Sequence, residues 1–331
     1  MKSPETVITN ITFHNEPKLS EHEVDRNFNE RRLALVPLIR DFISANDRFK
    51  GREVGVTFAE KGVSSLIAII ETPAEKMVLK IPLSNGFAEG EAQFLGVWEQ
   101  AGVKVPHVFE AGVLGERSYT LMGYVDAPVL ADAYSHDERL EKNIYEEMGQ
   151  TLHTMHAAPA KGYGRVIESK AEYSKFRDWI FSSDMQTRIK YVKENNLLND
   201  DKHGSIDEAI KILVDFVGDD GKSSYCHDDF GGSNIFATHP MTVFDPNPRF
   251  NNGYIDLGRS LMNHISAGGL DEALPRLIKG YFGDTPHDKK VLHASVLLNC
   301  CMKLPYKHKT KSLGVIQNMQ KYLAENKGLL Q

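Results

Sequence analysis

The residues best suited to chemistry lie in the stretch YCHDDFGGSNIFA, which begins at Tyr225 and contains His227, Asp229 and Asn234. A further aspartate, Asp245, follows two short apolar runs. Transfer of a phosphoryl group from ATP to an alcohol needs one aspartate to orient the hydroxyl and accept its proton. It also needs oxygen ligands, such as an asparagine and a second aspartate, to hold Mg²⁺. The spacing therefore predicts Asp229 as the catalytic residue and Asn234 and Asp245 as Mg²⁺ ligands.

The chain that positions these residues has 331 residues. This length is large for one hydrophobic core and favours two domains. The formal net charge of −6 is not that of a nucleic-acid-binding surface, so we expect no nucleic-acid partner. No stretch approaches 18 apolar residues, and we expect no membrane span or membrane partner.

The compartment is indicated by three cysteines, Cys226, Cys300 and Cys301, which show no spacing typical of zinc ligands. Few cysteines favour a reducing environment, and the N-terminus lacks the apolar segment of a secretory signal. We therefore expect a cytoplasmic protein, either a monomer or a dimer.

Hydrophobic periodicity changes along the chain near residue 125. An amphipathic helix is predicted over 31–46, and 53–125 reads as five strands with one helix after the third. Beyond residue 125 the pattern is mostly helical, with long helical segments before the Tyr225 stretch and after Gly253. We predict an α+β fold with an N-terminal lobe at 1–125, including a helical extension, and a C-terminal lobe at 126–331.

The Tyr225 stretch resembles the catalytic loop of kinase-like phosphotransferases, and is most similar to the aminoglycoside phosphotransferase and choline kinase group. Loops of that group resemble H-G-D-x-x-x-x-N, whereas Asp228 stands here at the glycine position. The resemblance covers roughly residues 55–260 and implies a two-lobed protein-kinase-like fold. Its N-terminal lobe would be an antiparallel sheet plus one helix, its C-terminal lobe mainly helical, with the nucleotide in the cleft between them.

The resemblance also implies a phosphate-binding lysine on the third strand and a glutamate that holds it. Lys80 in KMVLKIP and Glu91 in GEAQFLGVW fit these roles. Glu89 is a rival, but Glu91 is preferred because Leu95 then completes the E-x-x-x-L pattern of the family.

Further nucleotide contacts follow from the same resemblance. YTLMGYVDA is similar to the hinge that holds adenine, which places Met122 in the pocket and the backbone of Gly123 and Val125 on the base. The phosphate loop is glycine-poor, and in FAEKGVSSL the residues Ser64 and Ser65 become the candidate phosphate contacts.

Other polar residues near the motif have structural interpretations. His227 is predicted to be a buried imidazole that bonds backbone, and Asp256 to bond the catalytic loop or Arg259. His156 would end a helix beneath the loop. Asp228 has two interpretations that the sequence does not decide between, a solvated loop residue and a substrate contact.

The sequence thus predicts a kinase that uses ATP, with GTP as an alternative, and Mg²⁺ to phosphorylate a hydroxyl of a small molecule. The family resemblance favours an aminoglycoside acceptor and a role in antibiotic resistance, and the acidic net charge agrees weakly with a cationic substrate. The alternatives are a kinase of choline, homoserine or a sugar, and a nucleotide-binding regulator without turnover. A protein kinase is disfavoured because no D-F-G segment follows the catalytic-loop candidate and no A-P-E segment is present.

Overall fold

The computed structural model describes residues 9–60, 62, 64–84, 86–199, 204–219, 221–269, 272–326 and 329. These residues divide into two compact units. The first comprises the described residues of Met1–Gly96 and Pro106–Asp126, and the second those of Val97–Val105 and Ala127–Gln331.

The first unit is built on a six-stranded sheet in the order β1-β2-β3-β4-β6-β5. Its strands are β1 Asn10–Phe13, β2 Glu53–Phe58, β3 Ser65–Glu71, β4 Lys76–Pro82, β5 Val108–Leu114 and β6 Arg117–Gly123. The five expected strands are present and pair antiparallel. The additional strand β1 pairs parallel with β2, and sequence patterning missed it because it is short and lies in a polar segment.

The expected single helix over 31–46 is wrong, because this region forms two helices. They are α1 Arg26–Leu33 and α2 Val36–Ala45. Pro37 lies in the first turn of α2, where its missing N–H is tolerated. In one continuous helix its ring would clash with the carbonyl of Leu33, four residues earlier, so the chain breaks between the two helices.

Strand alternation decides where Lys80 lies. Met77, Leu79 and Ile81 of β4 are fully buried in the core that also contains Phe42 of α2. Because successive strand residues point to opposite faces, Lys80 projects from the other face of the sheet. The helix expected after the third strand is α3 Phe87–Gln100.

The second unit is mainly helical, as expected. Its helices are α4 Leu130–Ala133, α5 His136–Glu141, α6 Ile144–His156, α7 Phe176–Ile180, α8 Ser183–Glu194, α9 Gly204–Val217, α10 Gly253–Ser266, α11 Ala273–Phe282, α12 Lys289–Lys309 and α13 Leu313–Glu325. One of the long helical segments predicted before the Tyr225 stretch, which begins at Ser135, is divided into α5 and α6, and Asn143 between them takes a left-handed conformation with φ of 54°. None of the helices in the described part of the chain is long and apolar enough to cross a membrane.

Short strands of the second unit carry the chain into and out of the Tyr225 stretch. They are β7 Pro159–Ala160, β8 Tyr163–Ile167, β9 Lys170–Tyr173, β10 Ser223–Cys226, β11 Ile235–Phe236, β12 Thr242–Val243 and β13 Arg249–Asn251. β11 and β12 form the expected strand pair, whereas the five-stranded sheet β7-β10-β13-β8-β9 was missed. Strands of two to five residues leave too little periodicity to detect.

Helices α10 and α12 pack closely because α10 carries a glycine at their contact. A Cβ atom built on Gly258 would lie 2.5 Å from Cβ of Ser295 and 3.0 Å from the backbone N of Val296. These distances are too short for any side chain. Gly258 thereby sets the separation of the two helices.

We expect Gly258→Ala to lower the free energy of unfolding by about 1–3 kcal/mol, because the added methyl overpacks this contact. Gly314→Ala in α13 is the matched control, since its Cβ would meet nothing within 4 Å. The control should be neutral or stabilise by up to about 1 kcal/mol through helix propensity. Urea unfolding of both variants checks this, and equal midpoints would show that α10 and α12 are not in tight contact.

Candidate active site

The catalytic-loop candidate begins where β10 ends at Cys226 and returns to a strand at Ile235. Asp228 turns the chain with φ of 56°, in the left-handed region that glycine adopts without strain and that aspartate tolerates better than most residues. The loops that this stretch resembles have glycine at this position, and Asp228 takes a conformation that glycine adopts readily.

Asp256 of α10 anchors this loop through its backbone. Its Oδ2 accepts the N–H of His227 at 2.6 Å and its Oδ1 accepts the N–H of Asp228 at 2.7 Å. The expectation that Asp256 bonds the catalytic loop is confirmed, and it does so through these two amides rather than through Arg259.

His156, the last residue of α6, supports Asp256 from below. Its Nε2 lies 2.9 Å from Oδ2 of Asp256, and its Nδ1 lies 2.7 Å from the hydroxyl of Tyr281. Burial raises the pKa of Asp256, but its interactions with His156 and His227 outweigh burial and hold the pKa below its ordinary value. The carboxylate therefore stays ionised although it is buried.

His227 is a structural residue, as expected. Its ring is fully buried, and its Nε2 donates to the carbonyl oxygen of Phe244 at 3.0 Å. The ring stacks on Trp98 with a centroid distance of 5.7 Å. His227 thus ties the catalytic loop to the segment that leads to Asp245.

The interpretation of Asp228 as a solvated residue is wrong, because this side chain is buried. Its Oδ2 lies 2.6 Å from Nε of Arg249 and accepts the amide of Asn247 at 2.6 Å. A buried carboxylate held by a guanidinium and an amide is a structural pair, which also leaves it poorly placed for the predicted substrate contact.

Asp229 remains accessible, with 45% of its side chain exposed. The amide nitrogen of Asn234 donates to the backbone carbonyl of Asp229 at 2.8 Å and contacts its Oδ2 at 3.2 Å. This contact fixes the Oδ2 side of the carboxylate and turns the amide oxygen of Asn234 away from it.

The pair β11–β12 brings Asp245 towards Asn234. The N–H of Phe244 donates to the carbonyl of Asn234 at 3.1 Å, and Asp245 follows with φ of 53°. The structure therefore places the predicted catalytic residue, Asp229, and the predicted Mg²⁺ ligands, Asn234 and Asp245, around one loop.

Two residues near Asp229, Asn263 and Lys303, escaped sequence reasoning, and Arg259 was expected only as an alternative partner of Asp256. Asn263 of α10 contacts Oδ1 of Asp229 at 3.4 Å, and Nε of Arg259 lies 3.9 Å from the same oxygen. Lys303 of α12 donates to Oδ1 of Asn263 at 2.5 Å, which turns the Asn263 amide nitrogen towards Asp229. The available signal was the spacing of Asp256, Arg259 and Asn263, which lie on one helical face at i, i+3 and i+7.

In the first unit, Lys80 and Glu91 form a buried ion pair with Nζ 2.6 Å from Oε1. Lys80 lies opposite Thr120 of the neighbouring strand β6. The lysine and the preferred glutamate of the sequence pattern are thus brought together, and their action on phosphates stays a prediction.

The expected hinge lies at the end of β6. Met122 is buried and Gly123 is the last residue of the strand. The N–H of Gly123 donates to the carbonyl of His107 at 2.8 Å, so this N–H is already used within the unit. Val125 follows outside the strand and is half-buried.

The expected phosphate contacts differ in exposure. Ser64 is exposed, whereas Ser65 begins β3 with a buried side chain. Gly62 has φ of 125°, which only glycine adopts readily. Lys61 and Val63 of this stretch lie outside the described residues.

One further cluster, His156, Cys226 and Asp256, has candidate ligand atoms within 4.8 Å of one another. Burial, followed by the charges of Asp256 and Asp228, raises the pKa of the Cys226 thiol well above its ordinary value. Metals bind the thiolate, which this environment disfavours. The carboxylate of Asp256 already holds two backbone amides, so we assign the cluster to loop support.

The sequence matches a known family over most of its length. Residues 55–289 match the phosphotransferase enzyme family (APH), and the chain belongs to this family. The expected enzyme class, a small-molecule kinase, is thereby confirmed. No curated protein matched the sequence.

The fold is similar to those of solved structures at low identity. A thermostable variant of aminoglycoside phosphotransferase APH(4)-Ia, in complex with AMP-PNP and hygromycin B, has a TM-score of 0.60 at 15% identity, covering 88% of this chain and 97% of that one. A protein named as a fructosamine-3-kinase from Thermobifida fusca has a TM-score of 0.55 at 17% identity, with 82% and 95% covered. Spectinomycin phosphotransferase APH(9)-Ia, with ADP and spectinomycin, has a TM-score of 0.54 at 12% identity, with 82% and 90% covered. These matches confirm the kinase-like α+β fold.

We expect Asp256→Asn to lower the free energy of unfolding at pH 7 by about 2–4 kcal/mol, because two backbone amides and His156 lose a charged partner. The lowered pKa of Asp256 stabilises the fold above the unfolded-state value of about 3.9, and this stabilisation is lost as pH falls through the folded-state pKa. The difference in free energy of unfolding between wild type and variant should therefore become smaller below about pH 4.

Denaturant unfolding between pH 3 and pH 7 measures this difference. The control is Asp219→Asn, which removes an exposed carboxylate paired with Lys175 and should change little at any pH. A difference independent of pH would contradict the proposed ionisation of Asp256.

Proposed function

We propose that the protein transfers the γ-phosphoryl group of ATP to a hydroxyl of a small molecule. The observation that carries the proposal is Asp229, an exposed carboxylate whose Oδ2 is contacted by Asn234 and whose Oδ1 is contacted by Asn263. Its loop is anchored through Asp256, so the carboxylate is held ready for one position of the acceptor.

Asp229 orients the acceptor hydroxyl and takes up its proton as the bond from oxygen to the γ-phosphorus forms. The bond between that phosphorus and the β–γ bridging oxygen breaks, and ADP leaves with this oxygen. The proton then passes from Asp229 to solvent, which restores the carboxylate.

Asn234 and Asp245 suit a magnesium ion. The Asn234 amide nitrogen is committed to Asp229, which leaves its oxygen as the ligand atom, and Asp245 adds a carboxylate beyond the bonded Phe244–Asn234 pair. Oxygen ligands of this kind fit a hard cation. When bound, Mg²⁺ would neutralise charge on the phosphates.

The first unit supplies the nucleotide contacts in this proposal. Lys80, fixed by Glu91, binds the phosphates with Ser64 and the less exposed Ser65, while Met122 and the backbone of Gly123 and Val125 bind the base. We accordingly assign 1–125 as the nucleotide-binding lobe and 126–331 as the catalytic and substrate-binding lobe. ATP is proposed ahead of GTP, with both to be assayed.

Two acceptor classes follow, from different observations. Structures of similar fold hold hygromycin B or spectinomycin, which supports an antibiotic acceptor and a role in resistance. Arg259 and Lys303 beside Asp229 favour instead a small metabolite, because they would repel the ammonium groups of an aminoglycoside. The buried, unpaired cysteines support a reducing, cytoplasmic location for either class.

We expect Asp229→Asn to lower kcat by about 10²–10⁴-fold, because the hydroxyl loses its proton acceptor, while affinity for an ATP analogue stays unchanged. A coupled assay of nucleotide consumption with hygromycin B, spectinomycin, choline, homoserine and sugars provides the measurement. Asp215→Asn, at an exposed position of α9, is the control. Unchanged turnover in the Asp229 variant would refute the mechanism, and no nucleotide consumption with any acceptor would count against a kinase.

We expect Lys80→Met to lower turnover by about 10²–10³-fold, because the phosphates lose a fixed cation. It should also destabilise the fold by leaving Glu91 buried and unpaired by Lys80. Lys76→Met on the same strand, where the lysine is exposed, is the control for both effects. The double variant Lys80→Met with Glu91→Leu should regain stability but not activity; recovery of activity would show that the pair is only structural.

A further inference from the structure

Two cationic side chains, those of Arg259 and Lys303, lie near Asp229, and Lys307 follows one turn after Lys303. Arg259 projects from α10, and Lys303 and Lys307 lie on one face of α12 at i and i+4. Nε of Arg259 is 3.9 Å from Oδ1 of Asp229, and the charges of Arg259, Lys307 and Asp229 all act on Lys303.

These cations have little negative charge to balance them. Nε and Nη1 of Arg259 are buried and have no hydrogen-bond partner among the described residues. Within the same part of the chain, neither Lys303 nor Lys307 forms an ion pair, and Lys303 donates to the neutral amide of Asn263. Arg259 and Lys303 therefore bring two positive charges to the single carboxylate of Asp229, and Lys307 adds a third charge one turn from Lys303.

Keeping such a cluster is unfavourable for the folded protein on its own. Burial, with the charges of Arg259 and Lys307, lowers the pKa of Lys303 to about 8. Like charges that are partly desolvated and close together repel one another, whereas an anion between them would form short charge-assisted hydrogen bonds. A guanidinium also matches the planar geometry of a carboxylate or the oxygens of a phosphate.

Arg259 and Asn263 lie on the Oδ1 side of Asp229, and Asn234 lies on the Oδ2 side. Asn234, the proposed magnesium ligand, contacts Oδ2 of Asp229, whereas Asn263 and Arg259 are nearest to Oδ1. A group bound by Arg259 would therefore approach from the side opposite to Asn234.

We propose that the acceptor carries an anionic group, a carboxylate or a phosphate, that Arg259, Lys303 and Lys307 bind beside the hydroxyl held by Asp229. The inference rests on the proposed function and names its substrate class. The hydroxyl oxygen and the nearest anionic oxygen should lie within about 10 Å of each other in the acceptor, because one hydrogen-bond length is added at each end of the 3.9 Å gap between Nε of Arg259 and Oδ1 of Asp229. The transfer step is unchanged, since the anion binds without reacting.

A binding experiment tests this without knowledge of the natural acceptor. Protein saturated with AMP-PNP and Mg²⁺, which fill the proposed nucleotide and γ-phosphate positions, is titrated calorimetrically with inorganic phosphate and with acetate. We expect binding of phosphate, or of both anions, that weakens about 10- to 100-fold in Lys303→Met and Lys307→Met. Lys289→Met, roughly 20 Å away along α12, should bind like wild type. Binding of both anions would admit either group, and binding of phosphate alone would specify a phosphate.

A second arm compares acceptors of one carbon skeleton, namely glucose, gluconate, glucose 6-phosphate and glucosamine, with hygromycin B as a larger cation. We expect any turnover to favour the anionic members, and Lys303→Met and Arg259→Lys to raise KM for these more than for glucose. Arg259→Lys keeps the charge and guards against a folding defect, which unfolding curves would reveal.

Three results would overturn the inference: no anion binding by wild type, a preference for cationic acceptors, or an equal fall in kcat for every acceptor. An equal fall in kcat for every acceptor would indicate that the cations bind the transferred phosphoryl group instead of the acceptor. Turnover with glucosamine or hygromycin B but not with the anions would refute the substrate class and leave the kinase intact. Anion binding without any nucleotide consumption would instead count against the proposed kinase.

Discussion

The geometry of the second unit depends on one carboxylate, that of Asp256, which accepts two consecutive backbone amides from His227 and Asp228. Consecutive N–H groups converge on one acceptor only where the chain turns, and the left-handed conformation of Asp228 supplies that turn. A buried carboxylate is costly unless it stays hydrogen-bonded, and His156 adds a further hydrogen bond to Asp256. The position of Asp229, one residue further, is thereby fixed from the core of the unit rather than from its surface.

Helix α10 extends this control along one face. Asp256 holds the backbone of the loop, and Arg259 and Asn263, one and two turns later, reach the Asp229 carboxylate itself. Gly258 lets α12 approach closely enough for Lys303 to bond Asn263. Overpacking at the helix contact would thus be transmitted to the side chains around Asp229, since packed interiors yield little.

The extent to which sequence predicted the site follows from how far apart its parts lie in the chain. Asp229, Asn234 and Asp245 are close in sequence, so their spacing was sufficient to group them. Lys80 and Glu91 belong to adjacent elements, and the family resemblance grouped these two. Lys303 comes from a distant helix, and no spacing rule connects it with Asp229. The interpretation of Asp228 failed for a related reason, because its partner Arg249 reaches it only through the pairing of β10 with β13. The same limit explains why β1, joined to β2 across two helices, was missed.

The net charge of −6 is a poor guide to the acceptor, because it sums groups that do not act on the site. Surface charges more than about 10 Å away are largely screened at ordinary ionic strength, whereas partly buried groups near Asp229 are screened much less. Those groups include Arg259 and Lys303, both positive. In the proposed mechanism, Arg259 of α10 and Lys303 of α12 therefore add positive potential at the acceptor hydroxyl, which favours anions although the protein as a whole carries a negative net charge.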